Sequence, residues 1–251
     1  MNEYISRDYR STMGGNRFKS VTVIYREIDL WVGINEFPVA EKTFKAHIYS
    51  EIKMHYNIIA SYIKNRPEFG TSYQPIKFDK QAPPQIKKMI KAGREADVGP
   101  MACVAGLIAE RVGQKLLTDY HLDEVIVENG GDIFLKIQKP ALIRIFAGES
   151  PLSNKLSLEI EAEPQPLGIC TSSASVGHSK SFGKADAVVI VGASTSLADG
   201  LATRYCNQVK KTADIKSILD QCRKNKKIQT AAVILDNSFG VVGKHKVKVV
   251  P

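Results

Sequence analysis

Asp199 and Thr203 are the residues of this chain whose types and spacing point most directly to chemistry. They stand in ADGLATRY, residues 198–205, just after the apolar run KADAVVIVGA of residues 184–193. On a helix, two positions four apart share one face. A carboxylate beside a hydroxyl then offers two hard oxygens. Such a pair suits Mg²⁺, which keeps its other positions for water or phosphate. The plainer reading makes Asp199 the acidic end of a Ser-x-x-Asp capping box begun by Ser196. In that reading Thr203 bonds back to the Asp199 carbonyl.

Three other segments carry candidate chemistry, each with a plainer alternative. In ENGGDI, Glu128–Ile133, the pair Gly130-Gly131 frees the backbone for positive φ and close approach to a ligand. The same residues also spell a hairpin turn. CTSSASVGHSKSFGKAD, Cys170–Asp186, gathers Thr171, Ser172, Ser173, Ser175, Ser179 and Ser181 with Gly177, His178 and Lys184. Hydroxyls and a basic group on a strand-end loop can cradle phosphate, or form only a polar loop. In EADVGPMACVAG, Glu95–Gly106, small residues let a helix start lie close to an anion. They equally suit a helix packed tightly on a sheet.

The elements that must position these groups follow from hydrophobic period. Val21–Ile34 alternates as a hairpin or long strand. A helix is expected from Thr43 to Lys64, with Ile48, Ile52, His55, Ile59 and Ile63 at helix spacing. Pro67–Pro84 reads as loop, Pro84–Ala92 as a short helix, and Met101–Leu117 as a buried helix behind Gly99-Pro100. Strands are expected at Asp123–Glu128, Asp132–Ile137, Ala141–Phe146, Leu156–Ala162, Leu167–Cys170, Ala187–Val191, Thr230–Leu235, Phe239–Val242 and Val247–Val250. Helices at Ser196–Gln208 and Ala213–Arg223 interrupt them. Strands and helices do not alternate regularly, so the expected class is α+β. There is no GxGxxG and no P-loop. We expect one domain over residues 1–251, with a subdomain boundary, if any, in the loop at 67–84.

Composition bounds the function classes. The 251 residues can bury a full core. No apolar run reaches the ~20 residues of a membrane span, and the first residues lack the apolar core of a signal peptide. Cys103, Cys170, Cys206 and Cys222 form no CxxC pair, as expected of reduced thiols in a cytoplasmic protein. The net charge of +9 is spread over local groups at Lys87–Lys91, Lys210–Lys211, Arg223–Lys227 and Lys244–Lys248. No aromatic-interleaved basic stripe marks a nucleic-acid module. A basic surface still attracts anionic small molecules, including nucleotides.

In their order, EADVGPMACVAG, ENGGDI, TSSASVGHS and ADGLATRY resemble the ApbE family of flavin transferases, and VIYREIDLWV suggests a divergent branch of it. The resemblance implies an ApbE-like fold of mixed and antiparallel sheets with packed helices. It implies Mg²⁺-dependent transfer of FMN from FAD to a Thr of an acceptor protein, with release of AMP. Asp199 and Thr203 would be metal ligands through side chains and Ala102 through its carbonyl. Gly130, Gly131 and Asp132 would border the flavin nucleotide, with Thr171, Ser172 and Ser173 beside them, and His178 would stand near the reacting phosphate. Two departures stand out. The family's Ala-Lys-Gly is Ala102-Cys103-Val104 here, and its Ile-Ile-Asp-Pro after the histidine is Ser179-Lys180-Ser181-Phe182. The alternative is therefore a flavin- or nucleotide-binding protein that uses the scaffold without transfer. Either function requires the helix from Met101 and the helix from Ser196 to reach one cleft.

Overall fold

The structure, a computed structural model, describes residues 10, 13, 15–175 and 182–250. The alternating run near the start folds back on itself as β1 (Lys19–Tyr25) and β2 (Ile28–Ile34), with Tyr25 opposite Ile28. Arg26 takes φ of 56° in the turn between them. β3 (Val125–Asn129) and β4 (Asp132–Lys136) form a second hairpin, closed by Gly130 and Gly131 at φ of 65° and 98°. Consecutive positive φ values are what a tight hairpin turn requires, and glycine meets them without steric cost.

β5 (Ala141–Arg144) and β6 (Leu156–Ile160) leave the main sheet, and the chain returns to it as β7 (Leu167–Ser172) and β8 (Ala187–Gly192). β9 (Thr230–Leu235), β10 (Ser238–Gly243) and β11 (Lys246–Val249) complete the strands. The main sheet has eight strands in the order β1-β2-β3-β4-β7-β8-β9-β10, and β11-β6-β5 form a smaller one. Every neighbouring pair is antiparallel. The α+β reading therefore holds.

One face of the large sheet carries the helices. α1 (Glu41–Asn65) buries Phe44, Ile48, Ile52, His55 and Ile59, one stripe at helical spacing. α3 (Pro84–Ala96) runs past the expected end at Ala92 and stops where Asp97 turns left-handed, at φ of 58°. A 3-10 turn at Pro100–Cys103 leads into α4 (Val104–Tyr120). α5 (Thr195–Gln208) and α6 (Asp214–Lys224) cover the second half of the sheet. The stretch expected as loop at Pro67–Pro84 contains one element, α2 (Pro67–Thr71), which buries Phe69 completely. A single helical turn among Pro, Gly and Ser leaves no periodic signal to read. The opposite face packs on the small sheet through Trp31, Ile126, Ile133, Ile169 and Val189 against Ile145 and Leu158.

The arrangement turns on how closely α4 and α5 approach. A Cβ on Gly106 of α4 would lie 2.6 Å from the Thr195 carbonyl oxygen and 2.8 Å from Asp199 Cβ. A Cβ on Gly200 of α5 would lie 2.8 Å from Cys103 Sγ. Gly106→Ala gains up to about 1 kcal/mol of helix propensity but drives a methyl into backbone, which costs about 1–3 kcal/mol. A net loss of about 1–2 kcal/mol is expected, read as a lowered urea midpoint. An unchanged or raised midpoint would show that the helices are not held at this distance.

Candidate functional site

Asp199 lies on the fifth residue of α5, beyond the first turn, and turns its side chain across to α4. Its Oδ2 accepts the Gly106 backbone N–H at 2.9 Å. The capping-box reading is thereby replaced: α5 starts at Thr195, its N-cap residue Ser194 makes no side-chain cap bond, and the Ser196 N–H is taken by Glu110 of α4. Thr203 follows one turn later, half-buried, and its hydroxyl does not bond back to the Asp199 carbonyl. The small residues after Gly99 thus serve helix-on-helix packing, and they aim a backbone N–H at a carboxylate.

The β3–β4 hairpin reaches the same place from the sheet. Asn129 Nδ2 donates to the Ala105 carbonyl at 3.1 Å, pinning the hairpin to the first turn of α4. Asp132 starts β4 opposite Cys170 of β7, and strand alternation turns its side chain toward the helices. It is buried, and its Oδ1 has no hydrogen-bond partner. Burial pushes the Asp132 carboxyl well above the ordinary range, and the charge of Asp199 raises it further. Burial likewise pushes Asp199 up to about 7, against the opposing pull of the Gly106 and Ala105 backbone N–H groups. Cys170 and Cys103 flank the pair, and burial first, then the carboxylates, holds both thiols well above their usual range. They are neutral neighbours that cannot offset charge.

On the opposite face the same hairpin forms the wall of a cavity of about 470 Å³ between the two sheets, a volume suited to a cofactor-sized ligand. Gly130, Gly131, Thr171 and Ser173 line it at one end, and Trp31, Ile133 and Ile169 supply its apolar floor. Glu128 borders the cavity and is tied down on two sides. Its Oε1 accepts the Gly131 N–H at 2.8 Å, and its Oε2 accepts Arg10 Nε at 2.6 Å.

The structure thus brings Asp199, Asp132 and the α4 N-terminal turn together, with Ala102 packed against the α5 core beside them. Gly130, Gly131, Thr171 and Ser173 stand on the cavity side of the strand ends. Ser172, next in alternation, is half-buried toward the helix side. His178 lies outside the described residues. Sequence reasoning did not single out Glu128, Asn129, Gly106 or Trp31. Glu128 and Asn129 sat within ENGGDI, where a buried acid beside a glycine turn was the available signal. Trp31 is the sole tryptophan of the chain and falls in the alternating run of β2. Among the described residues no three His, Cys, Asp or Glu side chains cluster as a metal cage, and no helix is long and apolar enough to cross a membrane.

The fold, a sheet flanked by helices on one face and a small sheet on the other, matches that of ApbE structures. The flavin transferase ApbE from Vibrio cholerae superposes with a TM-score of 0.58 at 15% identity, covering 90% of this chain and 97% of that one. The apo flavinyl transferase ApbE of Pseudomonas stutzeri gives 0.63 at 13% identity, covering 90% and 93%. The family model described as AbpE bacteria matches residues 10–239, and the chain belongs to that ApbE-like family. Nearer in sequence are UPF0280 proteins of archaea. That of Methanococcus aeolicus is 42% identical over 190 residues, 74% of this chain and 76% of the relative. That of Methanocaldococcus jannaschii is 39% identical over 188 residues, 73% and 75%. They fit the divergent branch that the motifs suggest.

The raised Asp199 carboxyl makes the stability depend on pH with a definite sign. The folded chain holds this proton up to about 7, whereas an unfolded Asp releases it near ~3.9. The folded state binds more protons in that window, so the contribution is complete below the unfolded value and is lost as pH rises through about 7. Asp132 adds with the same sign. Melting in chelator should therefore show a lower Tm at pH 8 than at pH 5, and Asp199→Asn should shrink that fall. A pH-independent Tm difference between wild type and variant would contradict the burial argument.

Proposed function

We propose that this protein is an Mg²⁺-dependent flavin transferase that takes FAD and passes FMN to a threonine of an acceptor protein. The observation that carries the reading is the buried Asp132–Asp199 pair. Two carboxyls share a dry site with no basic partner among the described residues, and one oxygen is orphaned. That donor set fits a hard divalent cation better than it fits protein charge alone. Asp199, Thr203 and the Ala102 carbonyl would hold the ion, with Asp132 beside them. When bound, it would offset charge on the FAD pyrophosphate.

The chain's own residues supply the rest. The cavity between the sheets would take the flavin, and its apolar floor would exclude water from the isoalloxazine. Gly130 and Gly131 would let the backbone approach the nucleotide, and Thr171 and Ser173 would donate hydroxyls to phosphate. In the transfer, the acceptor Thr oxygen forms a bond to the phosphorus of the FMN half. The pyrophosphate P–O bond breaks, and AMP leaves. The Thr proton needs a base, and His178 would take it. The four buried free thiols support a reducing, cytoplasmic setting.

Binding and transfer have separate readouts. FAD entering the cavity should quench the emission of Trp31, the sole tryptophan. Mg²⁺, FAD and an acceptor should then release AMP. Asp199→Asn is expected to weaken Mg²⁺-dependent FAD binding by at least about tenfold, and Thr203→Val by less, because only the first removes a charged ligand. Undisturbed Mg²⁺-dependent binding in Asp199→Asn would refute the metal site. The neutral, buried Cys103 in place of the family's basic residue favours the second reading, a flavin carrier without transfer. Trp31 quenching with no AMP from any acceptor would select it.

A further inference from the structure

A second concavity, of about 600 Å³, opens between α3, the start of α5 and the segment joining α6 to β9. It shares no lining residue with the cavity between the sheets. Five lysines from two distant stretches of chain converge on it: Lys87, Lys88 and Lys91 from α3, and Lys226 and Lys227 from the joining segment. The acidic lining is Glu95, 3.9 Å from Lys91 Nζ. Among the described residues, Lys87, Lys226 and Lys227 have no carboxylate within ion-pair distance. Like charges held together without partners cost free energy unless something negative joins them, and a concave wall concentrates their field.

The groove is also braced from beneath. Glu110 of α4 is buried; its Oε1 stands 2.5 Å from Lys88 Nζ, and its Oε2 accepts the Ser196 N–H of α5 at 3.2 Å. One buried carboxylate therefore fixes a groove lysine and the groove's α5 wall in register. Half-buried Ser194 lines the groove, with its hydroxyl 3.2 Å from that of the buried Ser196. A bidentate acid would meet only part of this array. A chain of linked phosphates matches several ammonium groups at once.

We propose that this groove is a binding site for a polyphosphate group, that of a nucleoside triphosphate or of inorganic polyphosphate, separate from the carboxylate site near Asp199. The helix rise puts Asp199 only about 6 Å from Thr195 at the groove end of α5, but Asp199 does not line the groove and its carboxylate is turned to the Gly106 N–H of α4. The groove and the carboxylate pair share α5, and Glu110 ties the groove to α4.

Calorimetry on the full chain in chelator, at low salt, with inorganic tripolyphosphate and with ATP, tests this without engaging a metal site. Saturable binding is expected, weakened at least about tenfold in Lys87→Glu/Lys226→Glu and more mildly in Lys226→Gln/Lys227→Gln. Lys211→Glu/Lys246→Glu, with the same change of net charge outside the groove, should bind as wild type, and so should Asp199→Asn. The tighter of the two probes identifies the source of the phosphate chain. Absence of saturable binding by both probes would overturn the proposal. So would equal weakening in the Lys211/Lys246 control, which would reduce the effect to net charge. Loss in Asp199→Asn with full binding in the groove variants would move the anion to the other site and overturn it as well.

Discussion

Two carboxyls out of water, Asp132 and Asp199, set the terms for the structure around them. A buried charge is tolerated only with partners. Here the partners are backbone N–H groups of the α4 entry, the Thr171 N–H of β7 and a thiol, which leave the pair under-compensated. To supply even these, α4 and α5 must pack at a distance that forbids a side chain at Gly106. The 3-10 turn at Pro100–Cys103 follows from the same demand, because it delivers the first amides of α4 to Asp199 without a long connection. The apolar cores on either side hold the two helices to the sheet, so the carboxyls cannot separate to relieve each other.

The β3–β4 hairpin joins this pair to the rest of the site because a strand has two faces. Asp132 points to the helices, and Ile133 points to the space between the sheets. The two-glycine turn before them borders that space. β7 repeats the pattern one strand over, with Cys170 facing the helices and Thr171 the cavity. A ligand at these strand ends therefore meets hydroxyls and glycines on the cavity side and acid on the helix side. Neither face alone offers both. Glu128 and Asn129 keep the hairpin tip in place, one bonding the turn and the other bonding α4.

Much of this was legible in the sequence, for identifiable reasons. Strands such as Thr230–Leu235 and helices such as α5 announced themselves by period and by turn residues at their ends. The ordered motifs stood out because each holds a residue type that strands and helices rarely need for packing alone. What stayed hidden depends on contacts distant in sequence. Nothing in GREA says that α3 continues to Ala96, since its end is set by the left-handed turn at Asp97. Nothing around Gly106 says that its N–H bonds a carboxylate 93 residues later. The choice between capping box and inward-facing acid at Asp199 likewise turned on which helix lay opposite, and local sequence does not carry that.

Cys103 shows how one substitution shifts the balance of such a site. The resemblance sets it where ApbE relatives carry lysine. A lysine there would bring an ammonium toward two carboxyls and lower both. Here the thiol is fully buried beneath Gly200, and burial together with Asp199 and Asp132 keeps it protonated and neutral. The charge of the pair is then left to whatever enters the site. A proton can satisfy it, and so can a divalent cation, but the two exclude each other at the same oxygens. If the pair holds the cation proposed above, its affinity in this chain is tied to pH through Asp199 itself, rising as the carboxyl at about 7 gives up its proton. A site with a resident lysine would bind the same ion with a flatter dependence, because its carboxyls would already be ionised.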